Sequence, residues 1–287
     1  MKRILLALTY LFLLAGCSKE EAEVQTTQTA NLAYYDHSNF GTYKGVFASK
    51  NTDARATLEL NIYESDNSSV KTAYAKAKLN FDDGSSYELT SNQEVLEGVA
   101  ITNLSLSSAA ISFLFSVEAN GSNPTITDVV FQGDASHIII AKETETASVT
   151  AITGTYDCGS CNGHPLLSTS TTKTFNFLIT ESTTSNTRVV ATQATLDTIV
   201  YTGIGIEDAC VLNGNVLDCN LLSGDMTTNV GYFANGNPVT WNGNLASNNL
   251  PANIGDICED LNGVWQWPSN SYGLITGTFT SDINCNF

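Results

Sequence analysis

Apolar and polar positions alternate along most of the chain past residue 40. Every second residue from Ala56 to Ile62 is apolar, and Ala75, Ala77, Leu79 and Phe81 repeat the pattern. Ile111, Phe113, Phe115 and Val117 place four apolar side chains on one face of a segment. A period of two is what a half-buried strand requires, because successive side chains point to opposite sides of a sheet. Val129 to Phe131 and Ile138 to Ala141 are unbroken apolar runs and predict strands covered on both faces. No stretch beyond residue 40 sustains a helical period. Scattered Asn-Gly and Asp-Gly pairs supply tight turns between short antiparallel strands. Asp82-Asp83-Gly84 is read as such a turn rather than as a metal loop.

The pattern is also written twice. Gly41-Thr42-Tyr43 recurs as Gly154-Thr155-Tyr156. At an offset of 117, Ile62, Glu64, Ser65, Ala77 and Leu79 match Ile179, Glu181, Ser182, Ala194 and Leu196, and Lys71 falls on Arg188. The run from Ala119 to Pro124 is matched by the run from Ala234 to Pro238. Matches in one order across three stretches predict a duplication with halves 40–150 and 151–287, and so long a period means tandem domains rather than a solenoid. About six to eight strands per half, in meander order, fit a β-sandwich or a small up-and-down barrel. The expected fold class is therefore all-β: two tandem related antiparallel β-domains.

The first residues break this pattern. Met1-Lys2-Arg3 is followed by an apolar run from Ile4 to Leu14 and then by Ala15-Gly16-Cys17. A basic start, a short apolar stretch and small residues before a cut describe a secretory signal peptide over 1–16. The apolar stretch is well short of the ~20 residues that span a bilayer core. Leu14-Ala15-Gly16-Cys17 resembles the bacterial lipobox. That resemblance implies cleavage before Cys17, with lipid chains on its thiol and new amino group, and several acyl chains on one residue anchor stably. Ser18-Lys19-Glu20-Glu21 resembles the surface-export signal of Bacteroidota lipoproteins, which implies the outer face of the outer membrane. Residues 17–39 are rich in Glu, Gln and Thr and read as a flexible tether with a reach of roughly 25 Å.

Charge narrows the partners. The formal charge of −17 becomes −19 once Lys2 and Arg3 leave with the signal peptide. A chain this acidic disfavours nucleic acid and anionic membrane surfaces. The membrane contact expected is through the lipid anchor alone.

Cysteine usage fits an exported chain. Apart from Cys17 there are six: Cys158, Cys161, Cys210, Cys219, Cys258 and Cys285. An even number outside the cytoplasm implies disulfides. The run from Cys210 to Cys219 reads as a hairpin turning at Gly214-Asn215, with Asn213 opposite Val216. Cys210 and Cys219 then face each other at a non-hydrogen-bonded pair, ~4.5 Å between Cα atoms, within disulfide reach. Cys258 with Cys285 would tie the last segment to itself. Cys158 and Cys161 are left as a short bridge. Two other readings of that pair stay open: a thiol-redox motif, and a zinc site with His164 as third ligand.

Catalytic patterns are missing from the sequence. There is no nucleophile elbow, no His-Glu-x-x-His and no phosphate loop. A glycosidase needs only two carboxylates, and Glu64 and Glu181 are the acids at matching repeat positions. Trp265 and Trp267 are two apart and share a strand face; with Trp241 they are candidates for stacking sugar rings or for packing a core. Asp197-Thr198-Ile199 resembles the O-glycosylation site of Bacteroidota exported proteins. Gly-x-aromatic openings at Gly41, Gly154 and Gly263-Val264-Trp265 resemble the first strand of lipocalin-like barrels, which implies a small apolar ligand. The leading expectation is a non-enzymatic surface lipoprotein that contacts a glycan or a protein, without cofactor or metal. A lipocalin-like carrier, a glycan-acting hydrolase and a structural envelope component are the alternatives.

Overall fold

The computed structural model describes residues 34–63, 72–182, 184–185, 187–207, 211–213, 216–218, 221–226, 237–248 and 258–282. Eight strands form the first domain: β1 (Gly41–Ser49), β2 (Arg55–Ile62), β3 (Thr72–Phe81), β4 (Ser86–Leu96), β5 (Ile101–Ser107), β6 (Ile111–Val117), β7 (Thr125–Phe131) and β8 (Asp134–Lys142). They run up and down in chain order and close into a barrel by pairing β8 with β1. The alternation decides which side chains enter. On β2, Leu58, Leu60 and Ile62 are buried inside while Glu59 faces out across from Lys78 of β3. Alanines 73, 75 and 77 line the same interior as the bulky Tyr43, Phe113 and Phe115, so small and large residues share the space. Phe47, Phe81, Tyr87 and Phe131 pack ring to ring, with Phe81 stacked on Phe131 at 4.9 Å. The Asp82-Asp83-Gly84 turn joins β3 to β4, with Gly84 at φ +83°.

The segment before β1 closes one end of this barrel. Tyr35, Asn39 and Phe40 are buried there. Asn39 donates to Leu96 O at 2.9 Å and accepts from Gly98 N at 2.6 Å. The Tyr43 hydroxyl donates to Asn39 O at 2.8 Å. Lys142 Nζ donates to Tyr35 O and Ser38 O, both at 2.5 Å, and burial pulls its pKa down to about 8. Gly121, at φ +83°, lies where any side chain would strike Ser38 O, so the Asn-Gly turn there is fixed by this plug.

The second domain opens on a broken strand, β9 (Ala147–Ile152) and β10 (Gly154–Tyr156), separated by Thr153. Then follow β11 (Lys173–Ser182), β12 (Thr187–Leu196), β13 (Ile199–Glu207), β14 (Val211–Asn213), β15 (Val216–Asp218), β16 (Leu221–Met226), β17 (Val239–Asn248), β18 (Cys258–Ser269) and β19 (Gly273–Ser281). β9 and β10 pair with β11, and β10 also pairs with β19, which closes a second up-and-down barrel. β14 and β15 form a separate hairpin between β13 and β16, with Asn213 opposite Val216. The boundary expected between residues 150 and 151 falls inside β9, so the chain passes between barrels at 143–146.

Two of the three matched stretches occupy like positions in the two barrels. Gly41-Thr42-Tyr43 and Gly154-Thr155-Tyr156 both lie in the first strand, and Tyr43 and Tyr156 both point inward with hydroxyls on backbone oxygens. Burial raises the pKa of both phenols. Ala77 and Leu79 on β3, like Ala194 and Leu196 on β12, face the interior of a third strand. The third stretch departs: Asn120-Gly121 joins the sixth and seventh strands of barrel 1, whereas Asn237-Pro238 precedes the sixth strand of barrel 2. Glu64, Ser65 and Lys71 lie outside the described residues.

The barrels pack wall to wall. β1 and β11 are buried on both faces, because one face lines a barrel and the other meets the neighbouring barrel. Val46, Val149 and Leu178 form the apolar centre of the contact, flanked by Ile139 and Ala141. That accounts for the apolar run at 138–141. The run at 129–131 is different, and its expectation is corrected: Val129 and Phe131 point inward, but Val130 is 39% exposed, with nothing among the described residues covering the outer face of β7. Beside the apolar centre runs a polar chain. Asn176 donates to Phe47 O at 2.8 Å and to Gln193 Oε1 at 3.0 Å, and Gln193 Nε2 reaches His137 Nδ1 at 2.8 Å and His137 O at 3.0 Å. At the rim, Arg55 pairs with Asp82 at 3.0 Å and with Asp282 at 2.5 Å.

His137 makes this joint sensitive to acid. Gln193 Oε1 is already accepting from Asn176, so its amide nitrogen faces Nδ1, and the imidazole must stay unprotonated there. Burial, with Lys50 adding repulsion, lowers the His137 pKa. Because the folded value lies below the unfolded value of about 6.5, the unfolded chain takes up the proton first. Stability is therefore complete above that value, falls as pH drops below it, and levels off under the folded pKa. Urea midpoints at about pH 7.5 and about pH 5 should differ, with the acid value lower. His164 adds a contribution of the same sign, so the comparison is with His137→Asn, which keeps an acceptor but cannot charge. An undiminished pH dependence in that variant would remove His137 from the account.

Candidate functional site

The tryptophans share a face, as their spacing requires, but it is the inner one. Trp241, Trp265 and Trp267 are 1%, 4% and 3% exposed. The surface-stacking expectation for them is corrected, because on β18 the odd positions Leu261, Gly263, Trp265 and Trp267 line the barrel and Asn262, Val264 and Gln266 face out. Trp241 meets Phe175, Phe177 and Phe279 edge-on at 5.6 to 6.4 Å. Trp265 donates its indole N–H to Asp157 O at 2.8 Å.

Glycines make room for these rings. Gly205, Gly224, Trp241, Trp265 and Gly277 stand side by side across five strands. The next row reads Leu222, Gly243, Gly263 and Phe279. A Cβ on Gly205 would come within 2.5 Å of Trp241 Cζ2, and one on Gly243 within 2.7 Å of Phe279 Cζ. The wall thus closes directly onto the aromatic core.

Cys158 and Cys161 are joined as a disulfide with Cα atoms 5.7 Å apart. Asn162 and Gly163 follow at φ +49° and +74°, a turn rather than a helix start, so nothing there would lower a thiol pKa. With both sulfurs bonded to each other, the zinc reading loses two of its ligands. His164 instead packs between Trp267 and Tyr272, burial lowers its pKa, and its Nδ1 accepts from Leu166 N at 3.3 Å. Leu167 enters the barrel beside it. This loop closes an end of barrel 2 as the 34–40 segment closes barrel 1. Cys17, Cys210, Cys219 and Cys285 lie outside the described residues, and Cys258 is placed only as the first residue of β18.

Glu181, the repeat-matched acid on β11, lies 3.3 Å from Arg188, which also reaches Glu207 at 3.5 Å. Its partner Glu64 is outside the described residues. Asp197 and Thr198 form the exposed two-residue turn between β12 and β13, both at positive φ.

Among the described residues, barrel 2 has an inner space and an outer one. The inner one, bounded by Tyr156, Leu167, Tyr201 and Trp265 among others, measures 20 Å³, about the room of one water. The other is an open groove of 710 Å³ on the outer wall over β13, β16, β17 and β18. Ile204 and Ile206, 67% and 59% exposed, form one side. Ser223, Asp225, Thr240, Asn242 and Gln266 supply the polar lining, and the backbone of Gly205 and Gly224 forms the floor. Thr240 Oγ1 is buried and has no hydrogen-bond partner among the described residues. The sequence offers no motif for this groove, since β13, β16 and β17 contribute three residues each and β18 one, from stretches far apart in the chain.

These observations define a double β-barrel with interiors lined by buried apolar side chains and a groove on the outer wall of barrel 2. Residues 1–18 match the family described as the prokaryotic membrane lipoprotein lipid attachment site, so the chain is a lipoprotein held to a membrane through lipid. No curated protein and no solved structure matches the chain.

Proposed function

We propose that this lipoprotein is displayed on the outer face of the outer membrane and binds there, without catalysis, through the outer wall of barrel 2. The observation that carries the reading is the contrast between the two spaces, 20 Å³ inside and 710 Å³ outside. A carrier of a small apolar ligand needs an enclosed pocket of roughly 300 Å³ or more. A glycoside hydrolase needs two carboxylates across its cleft, and Asp225 is the one carboxylate among the groove-lining residues. The resemblance of Ser18-Lys19-Glu20-Glu21 to a surface-export signal supports outward display, and a shared origin of the two barrels fits their common strand order.

Protease shaving of intact cells tests the display. The expected result is loss of the protein from unlysed cells while a periplasmic marker survives. Full protection until lysis would place the barrels on the periplasmic side and overturn the reading.

A further inference from the structure

The lining of the groove specifies a ligand class. Registers set its side chains in two rows across the strands. One row runs Ile206, Ser223 and Asn242, and the other Ile204, Asp225, Thr240 and Gln266. Neighbouring strands lie ~4.8 Å apart, about the length of one pyranose unit. Ser223 and Asn242 in one row, and Asp225 and Gln266 in the other, set polar side chains at multiples of this spacing along a chain laid across the strands. Amides and hydroxyls both donate and accept, as sugar hydroxyls do. Ile204 and Ile206 present an aliphatic surface of the kind that the C–H face of a pyranose ring covers.

Charge excludes other occupants. The groove lining contains no Lys, Arg or His. Past residue 146 the sequence has only two Lys or Arg residues, Lys173 and Arg188, and both are ion-paired with acids. Polyanions and anionic lipid headgroups meet no countercharge there. Protein interfaces concentrate their energy in aromatic and Arg anchors, and the aromatic ring at this groove, Trp241, lies behind the floor. The groove is also open, so it suits the middle of a chain rather than an end.

We infer that the outer wall of barrel 2 binds the internal part of a neutral oligosaccharide. The inference rests on the binding role proposed above and names its ligand class. The test uses the full lipidated protein in a sugar-free detergent, run by affinity electrophoresis through gels containing dextran, mannan, galactan, xyloglucan, homogalacturonan or heparin. At least one neutral polysaccharide should retard the protein, and Asn242→Ala/Gln266→Ala should weaken that retardation about tenfold, two lost hydrogen-bonding side chains at an exposed site. Both substitutions are on outward, exposed positions, so circular dichroism should be unchanged. Retardation that survives the double substitution would place binding elsewhere and overturn the inference. Retardation by the anionic polymers alone, or by none, would overturn the ligand class. Shaving judges outward display separately, so a displayed protein that fails in every gel refutes the glycan and leaves a surface lipoprotein with another partner.

Discussion

Truncating Trp241 to alanine is expected to destabilise barrel 2 by about 3–5 kcal/mol, the range for removing a large aromatic from a packed core. The ring is 1% exposed and touches Phe175, Phe177 and Phe279, while Gly205 and Gly224 hold the wall against it. Alanine would leave a cavity that the facing glycines have no side chains to fill. The measurement is simple because all three tryptophans lie in barrel 2. Their fluorescence during urea unfolding reports that barrel alone, whereas circular dichroism reports both. A Trp241→Ala protein that keeps the wild-type fluorescence midpoint would show that this residue is not core and would return it to the candidates for surface stacking.

The opposite error, overfilling, should be tested at Gly263. Alanine there would drive its Cβ into Asn242 O and Phe279 Cζ. The ring has some freedom, but the carbonyl belongs to the paired strand β17, so relief requires the two strands to part. Overpacking of this kind costs ~1–3 kcal/mol, sometimes more. Gly159→Ala is the control, since the nearest atom to its Cβ would be Thr276 O at 3.7 Å, an ordinary contact. The Gly263→Ala protein should lose fluorescence midpoint while Gly159→Ala stays near wild type. Equal midpoints for the two would refute the close approach of wall and ring.

These two positions also show where sequence reading succeeds and where it stops. Period-two alternation identified β2, β3 and β6, and turn chemistry placed the hairpins at Asp82 to Gly84 and between Asn213 and Val216. Alternation says that Trp265 and Trp267 share a face; it does not say which face. A signal was present in Asn262 and Gln266, polar residues on the other side of the same strand. The paired glycines were harder to use, because their meaning depends on registers that put Gly243 beside Gly263 and Phe279. The groove was illegible for the same reason. Its residues are spread from 204 to 266 and become neighbours only when four strands align. Val130 erred the other way: an apolar run resembled a doubly covered strand, and nothing in the local sequence says whether a second wall lies outside it.

The plug at 34–40 has a mechanical consequence. If a cell is dragged by something held at barrel 2, tension travels from that wall through the joint into β1 and out through residues 34–40 toward the lipid attachment site. β1 is the strand best suited to carry it. It is laddered to β2 from Gly41 to Ala48 and to β8 from Tyr43 to Ser49, and it is buried on both faces. Tension along its length loads these hydrogen bonds together in shear rather than one after another. The carbonyls gripped by Lys142 and the amide of Asn39 sit at the point of entry, so they are the first contacts to feel the pull.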